Sequence, residues 1–229
     1  MNRRVLYLFV AAFAIGVALF AGARMFFGDD PAEVALEESA EAPRGDASYD
    51  GAWTVEPGTG AEDETFSGYR IEEEFAGVGA NTAVGRTGDV QGTLDIDGSR
   101  IVGADITVDM TTLQSDQKRR DDALRTRGLQ TDEFPTATFS LAKPITIASE
   151  PKSGEKIEAE ATGALMLHGV TRTITIPIEG RRAGDRITVI SSFEVNLDDY
   201  KIERPTTARV VSIAGTGKVE LQLHFVKES

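Results

Sequence analysis

The feature that most constrains the fold is the alternation of apolar and polar side chains on both sides of a His-Gly pair within residues 163–178. On an extended strand Ile174, Ile176 and Ile178 share one face, whereas the threonines between them share the other. Two such runs joined by a dipeptide that tolerates positive φ predict an antiparallel hairpin with one dry face. Whatever this apolar face packs against must come from outside the hairpin.

The same alternation recurs through most of residues 51–229, whereas residues 111–134 break it and predict one or two short surface helices over one end of the sheet. Seven to nine strands with one helical insertion predict a mainly β fold, either a closed barrel or a sandwich. The predicted strands cover residues 53–55, 69–75, 90–96, 100–110, 136–147, 156–166, 170–178, 186–197 and 218–226.

Two of these strands carry polar faces. The glutamates in residues 69–75 predict an edge strand or a strand that faces water. On the last strand Glu220, Gln222 and His224 alternate with apolar side chains, which predicts that all three face outward and that His224 is solvated.

The N-terminus carries an apolar run, Val5 to Ala23, directly after Arg3 and Arg4. This run is long enough to cross a bilayer, and the arginines before it place the N-terminus in the cytoplasm. We therefore expect residues 1–27 to be a single-pass membrane anchor, residues 28–50 an acidic disordered linker, and residues 51–229 one folded domain outside the cytoplasm. Alternatively, the small residues at 21–23 form a signal cleavage site, and the domain is secreted or periplasmic.

Composition excludes several classes of function. A formal charge of −13 disfavours contact with nucleic-acid phosphates. The chain has no cysteine and only two histidines, far apart, so no metal site is predicted. Because no catalytic triad, phosphate loop or dinucleotide fingerprint appears, we expect no catalytic residues and no enzyme activity.

Four segments carry a resemblance to a known family: RRDDAL at 119–124, TDEFPTATF at 131–139, GALMLHGVTR at 163–172 and VNLDDYKI at 195–202. Over about Trp53 to Val226 the chain resembles the YceI-like family of exported β-barrel proteins. The resemblance implies a single antiparallel, lipocalin-like barrel of about eight strands. It also implies that the interior holds a polyisoprenoid chain, such as a quinone tail or a prenyl carrier lipid, without a reaction or another cofactor. Residues 56–64 and 75–79 lack the histidines and serine common in the family, which implies a different polar rim at the mouth.

The candidate ligand-binding residues are inward-facing apolar side chains. They are Ile106, Val108, Met110, Phe134, Phe139, Leu141, Leu165, Leu167, Ile174, Ile176, Phe193, Leu223 and Phe225. Arg120, Arg125 and His168 are candidates for binding a lipid headgroup. Two other interpretations stay open: the arginines pair with neighbouring aspartates on a solvated helix, and His168 holds its turn.

The sequence thus favours an exported protein that holds or transfers a long-chain isoprenoid lipid inside a barrel. The alternative is a non-catalytic interaction or structural module of the cell envelope with a packed barrel core. The volume of any internal cavity separates these two hypotheses.

Overall fold

The computed structural model describes residues 31–36, 49–61, 63–147 and 154–228. The predicted anchor, residues 1–27, and most of the predicted linker lie outside this part of the chain. Within the described residues, no helix has the length and apolar character needed to cross a membrane.

The described residues form thirteen strands, one α-helix and two 3₁₀ helices. The strands are β1 (Gly51–Val55), β2 (Phe66–Phe75), β3 (Gly79–Thr87), β4 (Val90–Asp97), β5 (Arg100–Asp109), β6 (Gln114–Ser115), β7 (Thr136–Leu141), β8 (Ile145–Thr146), β9 (Lys156–Leu167), β10 (Val170–Ala183), β11 (Arg186–Asn196), β12 (Val210–Ile213) and β13 (Thr216–Lys227). The helix α1 spans Lys118–Thr126, and the 3₁₀ helices η1 and η2 span Met110–Thr112 and Leu197–Tyr200.

Eight of these strands close into an antiparallel barrel in the order β1-β4-β5-β7-β9-β10-β11-β13, and β13 then pairs with β1. Closure is set by β1, in which Trp53 lies opposite Leu94 of β4 and Lys227 of β13. The hairpin β9–β10 has the longest run of paired residues, from Val170↔Leu167 to Arg181↔Lys156. The predicted mainly β, eight-stranded barrel with a short helical insertion is confirmed, and the sandwich is excluded.

Along the edge that faces away from β11, strand β13 has two partners. Its first part, Lys218–Gln222, pairs with β2, whereas Phe225–Lys227 pairs with β1. The hairpin β2–β3 therefore forms the wall beside the first part of β13, and β12 and β6 add to its two edges. We call residues 222–225 of β13, where the partner changes, the seam.

The segment before β2 covers the seam. The His224 carbonyl accepts a hydrogen bond from the Glu56 amide at 2.7 Å, and the His224 amide donates to Thr65 Oγ1 at 3.1 Å. The imidazole lies 2.9 Å from Thr188 Oγ1 and 3.1 Å from the Asp63 carbonyl. The prediction that His224 is solvated is wrong, because this covering segment leaves it only 8% exposed.

The outward face of β13 is also covered nearer its start. Glu220, 1% exposed, accepts a hydrogen bond from Arg70 Nε at 2.9 Å and lies 3.9 Å from Arg86 Nη2. The Val34 amide donates to the other oxygen of Glu220, and both arginines donate to the Ala32 carbonyl at 2.7 Å. Residues 32–34, which belong to the predicted disordered linker, thus contact the barrel wall because it offers them buried charged groups.

The end of the barrel that holds Trp53 has a compact apolar cluster beside a smaller cavity of about 60 Å³. Trp53 is fully buried in a cluster with Val55, Leu94 and Phe225. The Arg182 guanidinium closes this end, since it lies 4.3 Å from the ring centroid of Tyr49 and 5.7 Å from that of Trp53. Stacking on aromatic faces lets the cation sit among apolar side chains.

Candidate functional site

The barrel encloses a cavity of about 240 Å³ whose walls are almost entirely aliphatic and aromatic. A cavity that holds one water molecule needs roughly 10–15 Å³ on this measure. The cavity is therefore far larger than a packing defect, and the interior is not filled by side chains. At the end opposite Trp53 its lining includes residues of η1, α1 and the segment after η2.

Of the thirteen apolar candidates, eleven line this cavity: Ile106, Val108, Met110, Phe139, Leu141, Leu165, Leu167, Ile176, Phe193, Leu223 and Phe225. They come from β5, η1, β7, β9, β10, β11 and β13, so the inward faces predicted from alternation meet in one space. Many of these side chains are only half-buried although they point inward, because they border empty volume. Their role in ligand binding stays a prediction.

Two apolar candidates lie outside the cavity lining. Ile174 packs against Ile145, Ala161 and Ile176, which line the cavity, but Ile174 itself does not reach it. Phe134 instead packs on the β9–β10 turn, with its ring centroid 4.4 Å from that of His168. Phe134 follows the helix rather than lying in a strand, so strand alternation does not determine its direction.

Sequence reasoning missed a second set of lining residues. Val189, Val195 and Val219 continue the same alternating faces, and that signal could have identified them, whereas Ile178 and Leu221 belong to faces already predicted to point inward. Leu113 directly follows η1, Leu124 lies in α1 and Leu129 in the turn after it; they are the large apolar side chains of an otherwise polar segment. Their inward direction depends on how the helix lies over the barrel end.

Polar groups line the cavity at the α1 end. Arg120 of α1 donates from Nη2 to Glu73 Oε2 at 3.1 Å and from Nε to Glu73 Oε1 at 3.3 Å. Both side chains are less than 10% exposed. Burial alone would lower the pKa of Arg120, but hydrogen bonds to Glu73 and Asp116 outweigh it and raise the pKa. The prediction that residues 69–75 form an edge strand or a strand that faces water is wrong at Glu73 of β2, because this side chain points inward to Arg120.

His168 holds the β9–β10 turn. It has a φ of 51°, Gly169 has a φ of 70°, and such paired positive values suit a two-residue hairpin turn. His168 Nδ1 donates to the Tyr200 carbonyl at 3.0 Å, and Nε2 lies 3.0 Å from the Gln130 side-chain amide. His168 is buried but outside the cavity lining, so these contacts tie the hairpin to η2 and to the turn after α1.

Arg125 lies on the exposed side of α1 and does not line the cavity. Among the three headgroup candidates, Arg120 alone borders it. Within the described part of the chain, no three His, Asp or Glu side chains converge in a way that could hold a metal ion.

The fold and the cavity define a closed antiparallel barrel with an apolar interior. Residues 61–225 match the sequence model of the YceI-like domain, and the chain belongs to this family. The match agrees with the resemblance drawn from about Trp53 to Val226. A comparison with curated proteins found no match.

Solved structures share the fold at low sequence identity. The chain is similar to a polyisoprenoid-binding domain from Saccharophagus degradans implicated in plant cell wall breakdown, with a TM-score of 0.58 and 17% identity over 77% of this chain and 98% of that one. BcnA from Burkholderia cenocepacia aligns with a TM-score of 0.54 and 16% identity over 70% and 94% of the two chains. The YceI protein of Campylobacter jejuni aligns with a TM-score of 0.53 and 17% identity over 63% and 85%.

Proposed function

We propose that this protein binds a long-chain isoprenoid lipid, a quinone or a prenyl carrier lipid, in the barrel cavity and holds it or transfers it between sites. The observation that carries the proposal is the empty, apolar interior of about 240 Å³ inside a closed barrel. A structural module with a packed core, the alternative hypothesis, has no use for such a space.

The physical chemistry of an isoprenoid suits this cavity. Each CH₂ group removed from water contributes roughly 0.8 kcal/mol, so a chain of many isoprene units has a large driving force to leave water. It has little net reason to leave a bilayer, which is equally apolar. A barrel of this kind is therefore suited to carriage or storage rather than to competition with the membrane.

Family membership supports the same ligand class, because the similar domain from Saccharophagus degradans is described as polyisoprenoid-binding. The binding we propose involves no chemical conversion. The ligand should therefore be recovered with its carbon skeleton and headgroup unchanged.

The direct test is to express the full chain in a bacterium that makes isoprenoid lipids and to measure the purified protein by native mass spectrometry. Organic extraction and chromatography of the same sample then identify any bound lipid. We expect one isoprenoid per barrel at most. A protein that is consistently free of lipid, and that takes up none when it is offered, would disprove the proposal.

A matched pair of variants on β5 tests whether the lipid lies in the cavity. Ile106→Trp places a large ring into the cavity, whereas Val102→Trp places the same ring on the exposed outer face of that strand. We expect Ile106→Trp to lose bound lipid and Val102→Trp to keep it. Equal lipid content in both variants would mean that the lipid binds elsewhere.

We further infer that the barrel lies outside the cytoplasm, on the basis of the apolar run at residues 5–23 and the two arginines before it. Protease added to intact spheroplasts should then digest the C-terminal domain, while a cytoplasmic marker stays intact. Co-sedimentation with membranes separates the anchored form from a cleaved one. Full protection in intact spheroplasts, with digestion only after lysis, would contradict export.

A further inference from the structure

Tyr69 stands at the α1 end of the cavity. It lies on the inward face of β2, two residues before Ile71 and four before Glu73, and all three line the cavity. Its cross-strand partner on β3 is Gly85. A Cβ at Gly85 would lie 2.9 Å from Tyr69 Cζ and 3.0 Å from Oη, so the missing side chain makes room for the tyrosine ring.

The Tyr69 hydroxyl is buried and has no hydrogen-bond partner among the described residues. Leaving a buried hydroxyl unpaired is unfavourable, because the group has lost its hydrogen bonds to water without gaining a new partner. Burial raises the pKa of Tyr69, so the phenol keeps its proton and can donate it. Tyr69 borders the apolar cavity while its hydroxyl is covered, so a small movement of the ring on binding would bring this donor to an acceptor on the bound molecule.

The charges around Tyr69 determine which acceptor fits. All three guanidinium nitrogens of Arg120 already donate to protein oxygens, namely to Glu73, Ser115 and Asp116. Asp121 adds a third carboxylate nearby and is itself bonded to the Ser115 hydroxyl at 2.6 Å. The charged groups that act on Tyr69 are thus one cation and three carboxylates, which disfavours a phosphate or diphosphate directly beside its hydroxyl; Glu203, Arg204 and Lys218 line other parts of the cavity.

We propose that Tyr69 is the hydrogen-bond donor that selects a neutral, acceptor-bearing headgroup, such as a quinone carbonyl, and that the surrounding carboxylates discriminate against diphosphates. This inference rests on the proposed isoprenoid binding and specifies the headgroup for the same cavity. The chain of the lipid then extends from the α1 end toward Trp53, along the apolar walls.

The test compares three ligands with the same number of isoprene units: a prenylated benzoquinone, the prenyl diphosphate and the headgroup-free hydrocarbon. Affinities for the lipid-depleted full chain are measured in detergent by displacement of a fluorescent fatty-chain probe. We expect the quinone to bind most tightly and the diphosphate least tightly. In Tyr69→Phe the quinone should lose about 5- to 10-fold in affinity, the factor for one neutral hydrogen bond, while the hydrocarbon affinity stays unchanged.

Tyr200→Phe is the matched control, because the Tyr200 hydroxyl is also buried without a partner among the described residues but does not line the cavity. This variant should leave the order of the three ligands intact. A shift of the quinone carbonyl stretch on binding, absent in Tyr69→Phe, would show the hydrogen bond directly.

The outcomes separate this inference from the proposed function. An unchanged ratio of quinone to hydrocarbon affinity in Tyr69→Phe, or a preference for the diphosphate, overturns the role of Tyr69 while lipid binding stands. Loss of stability of the empty Tyr69→Phe protein without a change in that ratio also overturns it, since the hydroxyl would then serve the fold. Failure of all three ligands to bind overturns the proposed function itself.

Discussion

Gly163 determines how far the Phe139 ring can lie back against the barrel wall. A Cβ at this position would lie 2.7 Å from Cε2 of Phe139, a residue that lines the cavity, and 2.5 Å from the Ser140 carbonyl oxygen, so both the ring and the β7 backbone would have to move. We expect Gly163→Ala to push the ring into the cavity, to lower the free energy of unfolding by about 1–3 kcal/mol and to reduce lipid content. Urea denaturation and lipid extraction measure the two effects.

Gly180 on β10 provides the control for this substitution, since its added Cβ would meet nothing closer than the Thr188 carbonyl at 3.9 Å. Gly180→Ala should therefore leave both stability and lipid content near the wild-type values. Equal effects of the two substitutions would mean that the contact with Phe139 is not the cause.

His168 gives a second prediction at this scale. His168→Ala removes both imidazole contacts and places alanine at a φ of 51°, so we expect a loss of about 2 kcal/mol in urea denaturation. His168→Asn should lose less, because asparagine tolerates the left-handed region. The headgroup preference should stay unchanged in both. A changed preference with unchanged stability would instead favour the headgroup role considered from the sequence.

Individual residues also show where sequence reasoning stops. The inward apolar residues of β5, β7, β9 and β13 could be predicted, because strand alternation alone sets their direction. Glu73 could not, since its burial depends on Arg120, a partner 47 residues further along the chain. His224 was misjudged for a similar reason: alternation gives its direction, but not what covers the outer wall.

At the scale of elements, Glu220 connects β13, β2 and β3. Glu220→Gln removes the carboxylate that Arg70 and Arg86 share in a nearly dry site, and we expect a loss of about 3 kcal/mol in the free energy of unfolding. Chemical denaturation measures it. Glu158→Gln, in an exposed pair with Lys156, is the control and should change stability by less than about 1 kcal/mol. Similar losses in both variants would contradict the importance of the buried site.

The cover over the seam predicts a dependence on pH. Burial is the largest effect on His224 and lowers its pKa below the ordinary value of 6.5, so the unfolded chain binds a proton more readily than the folded one. Stability contributed by the neutral imidazole is therefore complete above about pH 6.5 and is lost as the pH falls from there toward the folded pKa. The loss between pH 7 and pH 5 should be smaller in His224→Gln, measured by urea denaturation at each pH. An identical pH dependence in both proteins would disprove this assignment.

Elements differ in how far the sequence predicts them. Strands rich in β-branched residues, such as β10 and β11, follow from composition and alternation. Strand β3 was missed, because Gly79–Thr87 contains glycine, alanine and asparagine and offers no dry face of large side chains. It forms because a tight turn after β2 returns the chain alongside that strand, and the edge of β2 then forms hydrogen bonds with β3.

For the whole molecule, a bound lipid should stabilise the folded barrel, because the cavity exists only in that state. At a free lipid concentration 100-fold above Kd, linkage predicts about 2.7 kcal/mol of added stability. Thermal unfolding of lipid-depleted protein with increasing prenylated benzoquinone should therefore show a rising Tm. Ile106→Trp should show little rise, whereas a rise equal to that of the wild type would contradict cavity binding.

Closure of the barrel bears on how the molecule folds. The pairing of β1 with β13 brings together residues as distant in sequence as Thr54 and Glu228, which are 174 positions apart, whereas β9 and β10 are joined by one tight turn. Non-local pairings form slowly, so we expect the neighbouring hairpins to assemble first and the two ends of the chain to meet last. Until the two ends pair, the sheet is not closed and its apolar inner face is open along one side. If the chain binds a long lipid as proposed, the open barrel could enclose the lipid from the side rather than take it in through one end, and the lipid bound would then depend on the compartment in which the chain folds.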